Sequence, residues 1–146
     1  MKFERELLKG IAPVVVLETL SRGKMYGYEL SEAIAAKSQN VLTLGQGTLY
    51  PLLYNLEAQK LIKGEWETAE SGRERKYYSI TSKGKEKLET DKVQFADLFK
   101  ALKLLETALQ MDYKDCADLS SDERFLPLRQ LPRFWLLVES LCGECR

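Results

Sequence analysis

The apolar residues of segment 45–56 recur at the spacing of an amphipathic helix. They stand at positions i, i+3, i+4 and i+7, which places them on one helix face, against a core. The opposite face carries almost no charge and offers small, hydrogen-bonding and aromatic groups that can enter a DNA groove. The apolar residues are Leu49, Leu52, Leu53 and Leu56, and the outer residues are Gln46, Gly47, Tyr50, Tyr54 and Asn55.

Pro51 restricts where this helix can begin. A proline deep inside a helix clashes with the carbonyl four residues earlier, so a late start is favoured. Thr48 as the N-cap would place Pro51 in the first turn. An earlier start would need a kink near Gly47, and the sequence leaves both starts open between Gly45 and Thr48.

Three helices are predicted upstream. A short charged helix over 2–9 is interrupted by Gly10, and a buried helix over 12–20 follows with Pro13 in its first turn. Segment 26–36 is a further amphipathic helix. A loop then leads to the helix of segment 45–56, so the chain opens with a run of helices.

A β-hairpin is predicted next. Residues 61–67 alternate as a strand does, residues 75–80 form the return strand, and the polar, glycine-containing loop 68–74 joins them. Alternation along the return strand places Arg75 and Lys76 on opposite faces. These two basic residues therefore cannot have equivalent roles.

A long helix is predicted from about residue 82 to about residue 111, with Thr81 as its N-cap. Its apolar residues alternate steps of three and four, the spacing of a coiled coil. A stripe of this kind without a partner in the same chain must be buried on something, and a second copy is the obvious partner. The predicted dimer contacts are Leu88, Phe95, Leu98, Phe99, Leu102, Leu105 and Leu109.

Composition excludes several classes of protein. The 146 residues are 45% hydrophobic and 30% charged, as in a folded chain of one domain with an appendage. Net charge is zero, but residues 20–85 carry ten basic and seven acidic groups, whereas residues 86–146 carry nine basic and twelve acidic groups. The basic excess therefore lies in the part of the chain that holds the predicted helix of segment 45–56 and the hairpin.

The chain has no histidine, the commonest general acid–base group and metal ligand. With no phosphate loop or serine–base pairing either, we expect neither an enzyme, a cofactor nor a metal site.

The N-terminal residues, the apolar runs and the cysteines indicate where the protein is located in the cell. The N-terminus is charged with no secretion signal, and no apolar run reaches the roughly 18 residues of a membrane span, so we expect a cytoplasmic protein without membrane contact. Three thiols without secretory features fit a reducing compartment. A thiol- or metal-responsive regulator that uses Cys142 and Cys145 is an alternative function, and Cys116 is the third thiol of the chain.

The order helix, helix, helix, strand, wing, strand describes a winged helix-turn-helix. Five segments in this order also resemble the PadR family of transcriptional regulators, over about residues 7–88. The segments are Met25-Tyr26-Gly27-Tyr28-Glu29-Leu30, Gly47-Thr48-Leu49-Tyr50-Pro51-Leu52-Leu53, Leu56-Glu57 with Leu61-Ile62, Gly72-Arg73-Glu74-Arg75-Lys76-Tyr77-Tyr78, and Thr81-Ser82-Lys83-Gly84.

The resemblance implies a mainly α fold with a small β-hairpin wing. It implies a winged helix DNA-binding domain over 1–81 and a dimerisation helix over 82–112. Residues 113–146 exceed what the resemblance covers, and their own apolar spacing predicts a C-terminal helical appendage to which no role is assigned. It further implies a homodimer that binds operator DNA, in most cases as a repressor relieved by a small-molecule effector. Some family members bind flat apolar effectors near the dimer seam, so a small apolar or aromatic molecule is the candidate effector.

The candidate DNA contacts come from the resemblance and from side-chain chemistry. Glutamine can pair with adenine, and threonine and tyrosine can donate to phosphates or base edges. The alternatives are core aromatics for the tyrosines and plain capping for Thr48. The candidates are Tyr26, Gln46, Thr48, Tyr50, Tyr54, Arg73, Arg75 and Lys76.

A protein-interaction module without DNA binding is the alternative from another functional class. The neutral net charge and the glutamates flanking the wing keep it open. Salt-dependent binding to DNA separates this alternative from a regulator that reads an operator.

Overall fold

The computed structural model describes residues 3–110 together with Glu123 and Arg129. The described part is mainly helical with a small antiparallel sheet, which confirms the predicted fold class, including the long C-terminal helix. The predicted appendage over 113–146, its three cysteines and the end of the chain lie outside the described residues. The helices are α1 (Arg5–Leu20), α2 (Gly27–Lys37), α3 (Gln46–Ala58) and α4 (Ser82–Gln110), and the strands are β1 (Met25–Tyr26), β2 (Ile62–Thr68) and β3 (Glu74–Ile80).

The sheet has three strands in the order β1-β3-β2, and both pairs are antiparallel. β2 and β3 form the predicted hairpin, in register from Ile62 opposite Ile80 to Thr68 opposite Glu74, and this hairpin is called the wing below. β1 was not predicted. It pairs Met25 with Tyr78, and two residues are too few to show a period of two in the sequence.

The core lies between the three N-terminal helices and one face of the sheet. Each buried leucine stabilises the fold by about 1.5–3 kcal/mol relative to an exposed one. The first turns of α4 complete this core, because Leu88 is buried in it. The largest fully buried side chains are Val16, Leu17, Leu20, Leu30, Leu49, Leu53 and Ile62.

The predicted break between two N-terminal helices is wrong, because α1 is continuous from Arg5 to Leu20. Pro13 lies inside it and leaves the carbonyl of Lys9 without its usual helical donor. Burial of the neighbouring Ala12 and Val16 offsets that loss. Tertiary packing thus overrides the local helix-breaking signals.

The start of α3 falls at the early end of the predicted range. The helix begins at Gln46, and Gly45 is its N-cap without a side-chain bond. The carbonyl of Gly45 accepts bonds from the N–H groups of Thr48 at 3.0 Å and Leu49 at 2.9 Å. Thr48 is therefore inside the helix rather than its cap, and the late start favoured by Pro51 is wrong.

The described chain forms two compact units, the first ending at Val93 and the second beginning at Gln94. Leu88, predicted as a dimer contact, is instead 3% exposed within the core of the first unit. This burial leaves it no surface for a second copy. Across the described residues, no helix combines the length and the apolarity that crossing a membrane requires.

Candidate nucleic-acid interface

The two faces of α3 differ sharply in exposure. Leu49, Leu53 and Leu56 are buried in the core, as the spacing predicted. Tyr50 is 46% exposed and Tyr54 is 78% exposed, so Tyr54 is not a half-buried core aromatic. The outward face is uncharged and rich in hydrogen-bonding groups. Its exposed residues are Gln46, Gly47, Thr48, Tyr50, Tyr54 and Asn55.

A contact between Tyr50 and Gly27 joins α3 to the start of α2. Gly27 is buried, and a Cβ on it would stand 2.8 Å from the Tyr50 hydroxyl oxygen and 2.9 Å from Cζ. A side chain at position 27 would therefore displace the phenol ring from where it lies. The contact holds the Tyr50 hydroxyl at the surface where the two helices meet.

The turn between α2 and α3 is held by serine side chains. The Ser31 hydroxyl donates to the carbonyl of Leu44 at 2.8 Å, and the Ser38 hydroxyl accepts from the N–H of Leu42 at 3.0 Å. Gln39 and Asn40 adopt positive φ values of 53° and 62°. These local bonds set the direction in which α3 leaves the turn, and so the direction of its exposed face.

The tip of the wing presents a basic side chain. The N–H of Ala69 donates to the carbonyl of Arg73, and the N–H of Gly72 donates to the carbonyl of Ala69, both at 2.8 Å. Gly72 has φ +77°, a conformation that favours glycine. Arg73 is exposed and takes part in no ion pair within the described residues. Its guanidinium is thus available to a phosphate.

Arg75 and Tyr26, predicted as two separate DNA contacts, form one cluster on the outer face of the sheet. The guanidinium carbon of Arg75 lies 4.3 Å from the centroid of the Tyr26 ring, and Tyr26 packs edge-on against Tyr77 at 5.6 Å. A stacked guanidinium of this kind keeps its donors free at the rim of the ring. Tyr26 therefore positions Arg75 rather than packing in the core.

A second basic group lies at the edge of the same cluster. The Nζ of Lys24 is 5.5 Å from the centroid of the Tyr77 ring, and it bonds both carboxylate oxygens of Glu67, at 2.6 and 2.8 Å. The bond to Glu67 raises the pKa of Lys24. Because Glu67 already neutralises it, Lys24 is less available to a phosphate than Arg73.

Lys76 lies on the opposite face of β3 and has a partner on α3. Its Nζ is 2.7 Å from Oε2 of Glu57, and the hydrogen bond to this carboxylate raises the pKa of Lys76. Arg75 and Lys76 thus differ in environment, as the alternation along the strand requires. This partner could not be predicted from the sequence, because Glu57 and Lys76 are nineteen residues apart on different elements.

The described part of α4 in the second unit carries an exposed apolar stripe. Leu98, Phe99 and Leu102 are each more than half exposed, and Phe95 and Leu105 are partly exposed. The side chain of Leu109, the last predicted dimer contact, lies outside the described residues. The described members keep the spacing of three and four along one helix face.

Potential metal ligands do not cluster within the described part of the chain. No group of three or more histidine, cysteine, aspartate or glutamate residues is arranged there to hold an ion. All three cysteines of the sequence lie outside the described residues.

The sequence matches the transcriptional regulator PadR-like family over residues 16–90. The matched part runs from the second half of α1 through the wing into the first turns of α4. It therefore includes α3, the Tyr26–Arg75 cluster and the wing tip.

Solved structures of similar proteins have the same fold. A PadR family transcriptional regulator from Eggerthella lenta is 37% identical, with a TM-score of 0.62 over 70% of this chain and 88% of that chain. A PadR-like transcriptional regulator from Bacillus cereus is 34% identical, with a TM-score of 0.59 over 68% and 95%. A transcriptional regulator from Clostridium thermocellum is 26% identical, with a TM-score of 0.63 over 67% and 95%.

Proposed function

The chain belongs to the PadR-like family of transcriptional regulators, and from this membership we propose that it is a cytoplasmic homodimer that represses transcription by binding an operator. It is a DNA-binding regulator and not an enzyme, in keeping with its family. The proposal assigns DNA binding to residues 1–81, dimerisation to residues 82–112 and no role to residues 113–146. One observation carries it: α3 buries Leu49, Leu53 and Leu56 in the core, partly buries Leu52, and leaves its hydrogen-bonding face exposed.

The exposed face of α3 is proposed to enter the major groove. Gln46 in the first turn can form a bidentate pair with adenine, and Thr48 and Tyr50 can donate to base edges or phosphates. Tyr54, further along the helix, would contact the sugar–phosphate backbone. Because this face carries no arginine or lysine, guanine contacts would be few and affinity must come from elsewhere.

The additional affinity is proposed to come from arginines on the wing. Arg73 at its tip would neutralise a phosphate, and Arg75, held on the ring of Tyr26, would reach a second phosphate. Lys76 was also expected to contact DNA. Its ion pair with Glu57 favours a structural role instead.

The exposed stripe of α4 is proposed to be the dimer seam. Its residues are Phe95, Leu98, Phe99, Leu102 and Leu105, to which Leu109 is added from the sequence pattern. Two copies would then bind two half-sites of a palindromic operator, one helical turn or a multiple apart.

Repression relieved by an effector is the regulatory part of the proposal. The aromatic rings of Phe95 and Phe99 on the stripe favour a small apolar or aromatic effector at the seam. Transcription in vitro from the DNA upstream of the chain's own gene should fall when the protein is added. A rise in transcription would identify an activator.

DNA binding is tested with a fluorescent duplex that carries the DNA immediately upstream of the chain's own gene. We expect binding about a thousandfold or more tighter than to a scrambled duplex of equal length. Gln46→Ala should weaken the specific complex by about 1–3 kcal/mol. Gln59→Ala is the control, since the side chain of this exposed glutamine after α3 donates to Asn55, and the bond from Lys83 goes to its backbone carbonyl, which the substitution keeps. Equal affinity for both duplexes would favour a protein-interaction module.

A further inference from the structure

Glu57, near the C-terminal end of α3, is bonded to both strands of the wing. Its Oε1 accepts a hydrogen bond from the backbone N–H of Gly64 on β2 at 3.1 Å. Its Oε2 accepts from the Nζ of Lys76 on β3 at 2.7 Å. One carboxylate therefore joins α3 to both strands of the wing, and the residues Glu57, Gly64 and Lys76 are called the helix–wing bridge below.

The bridge passes directly over Gly64, so a side chain at this position would have to displace Lys76 and Glu57. A Cβ there would overlap Cε of Lys76 and would stand 2.8 Å from Oε1 of Glu57. The lysine side chain thus crosses the strand directly over Gly64 to reach the carboxylate. β2 is an edge strand of the sheet, so the bond from Glu57 also satisfies an N–H that no neighbouring strand bonds.

The bridge is partly shielded from water. The side chains of Lys76 and Glu57 are 29% and 31% exposed, well below those of the solvent-facing pairs Lys63–Glu65 and Lys9–Glu6. A shielded pair with an additional backbone bond holds a more defined geometry than a surface pair. The bridge therefore restrains the wing relative to α3.

We propose that the helix–wing bridge is a positioning device for DNA binding. It holds the wing so that Arg73 at the tip and Gln46 on α3 reach the same operator together. This inference rests on the proposed function. Two binding elements held in register bind more tightly than the same two on a loose connection, because the ordering cost is met before binding.

The positioning role and simple electrostatics predict opposite changes in DNA affinity for Glu57→Ala. Glu57→Ala removes a negative charge beside the DNA-binding surface, which by charge alone should strengthen binding. Loss of positioning instead weakens binding to the upstream duplex by about tenfold. Glu65→Ala is the matched control, because it removes an equal charge from β2 without touching α3.

Lys76 distinguishes a bridge from a phosphate contact. If Lys76 acts through Glu57, Lys76→Met weakens binding about as much as Glu57→Ala, the double variant is no worse than either, and the dependence of affinity on salt is unchanged. If Lys76 contacts phosphate, Lys76→Met lowers the salt slope by about one. That result would overturn the proposal.

A double-mutant cycle on the upstream duplex measures the coupling between the bridge and the wing tip. Arg73→Ala should cost less affinity in the Glu57→Ala background than in the wild-type chain, because the loosened wing no longer places Arg73 on the phosphate. Additive losses would overturn the positioning role while leaving the proposed function intact. A wild-type chain that does not bind the duplex would overturn both.

A second readout needs no DNA. Trp66 lies on β2, is 68% exposed, and can report wing motion by its fluorescence anisotropy once Trp135 is replaced by phenylalanine. We expect faster depolarisation in Glu57→Ala than in Glu65→Ala, with thermal unfolding of both variants still cooperative. Equal depolarisation in the two variants would show that the bridge does not restrain the wing.

Discussion

Gly27 and Tyr50 touch where α2 begins and α3 enters its second turn. A Cβ on Gly27 would stand 2.8 Å from the Tyr50 hydroxyl oxygen, so the absence of a side chain at one residue determines where the other residue's ring can lie. Tyr50 is also 46% exposed, which leaves its ring a path away from the helix. The contact therefore bears on the position of a proposed DNA-binding group more than on stability.

Gly27→Ala should separate the effect of this contact on DNA affinity from its effect on stability. The new methyl group displaces the Tyr50 ring, and we expect DNA affinity to fall roughly five- to tenfold, the scale of one hydrogen bond of about 1 kcal/mol. Unfolding free energy should change little, since alanine is the better helix former and the ring can move. Titration of the upstream duplex and thermal unfolding measure the two quantities.

Gly10→Ala is the control for this substitution. Gly10 lies inside α1, where a Cβ would meet nothing within 4 Å. Alanine there should stabilise the fold by about 0.5–1 kcal/mol and leave DNA affinity unchanged. An unchanged affinity in Gly27→Ala would remove Tyr50 from the binding surface.

Arg73→Ala tests the wing tip. The guanidinium is exposed and in no ion pair within the described residues, so its loss should remove one phosphate contact. We expect the plot of log affinity against log salt to become shallower by about one. Arg22→Ala, which removes an equal charge from the Glu18 ion pair after α1, should leave the slope unchanged. Equal slopes for wild type and Arg73→Ala would place the wing tip away from DNA.

Leu102→Glu tests the α4 stripe. Leu102 is 53% exposed, and a carboxylate buried unpaired at a dimer seam costs about 3 kcal/mol or more, which weakens dimerisation roughly a hundredfold. Sedimentation should then show monomers at concentrations where the wild type is dimeric. Lys100→Glu, on the opposite side of the same helix, should remain dimeric. A dimeric Leu102→Glu would exclude this face as the seam.

The pH dependence of stability tests the ion pair between Glu18 on α1 and Lys92 on α4, within the first unit. Glu18 accepts bonds from Lys92 at 3.1 Å and Arg22 at 3.4 Å, and the bond from Lys92 is the main reason its pKa is lowered. A lowered pKa in the folded state means that the stabilisation is present above the ordinary titration range of a carboxyl group. It is lost as the pH falls through the folded pKa.

Glu18→Gln should therefore be less stable than the wild type at about pH 7, and the difference should be smaller at about pH 3. The Glu18 side chain is 37% exposed, so solvent screening limits the difference to at most about 1 kcal/mol. Urea unfolding at the two pH values measures it. Glu29→Gln, an exposed residue of α2 outside the ion pairs of the described chain, should show no such pH-dependent gap. An unchanged difference in unfolding free energy between Glu18→Gln and the wild type at low pH would rule out the ion pair as its source.

Prediction from sequence succeeded where the signal was periodic. The burial of Leu49, Leu53 and Leu56 follows from their spacing, because a helix repeats every 3.6 residues whatever it packs against. The hairpin was predicted within one residue at each strand for the same reason. β1 was missed, because a two-residue strand exists only through its partner β3.

Prediction failed where packing competed with local preference. Pro13 and Pro51 both indicated helix starts, yet each lies inside a longer helix. Leu88 fits the coiled-coil spacing of α4, but the same spacing also serves a helix that begins by packing on its own domain. The sequence cannot distinguish these two uses of one apolar face, because both give the same period.

The sequence by itself determined the family, through five segments in register, and the faces of the helices, through their periods. Both are properties of neighbours along the chain. Only the tertiary structure decided the partners of the polar groups: Tyr50 meets Gly27, Arg75 stacks on Tyr26, and Lys76 bonds Glu57. These pairs come from different elements, and a side chain's partner depends on how the elements pack. The candidate DNA contacts could therefore be proposed as a set from the sequence. Only the fold shows which of them is free of ion pairs among the described residues (Arg73), which is stacked on a ring (Arg75) and which is paired within the domain (Lys76).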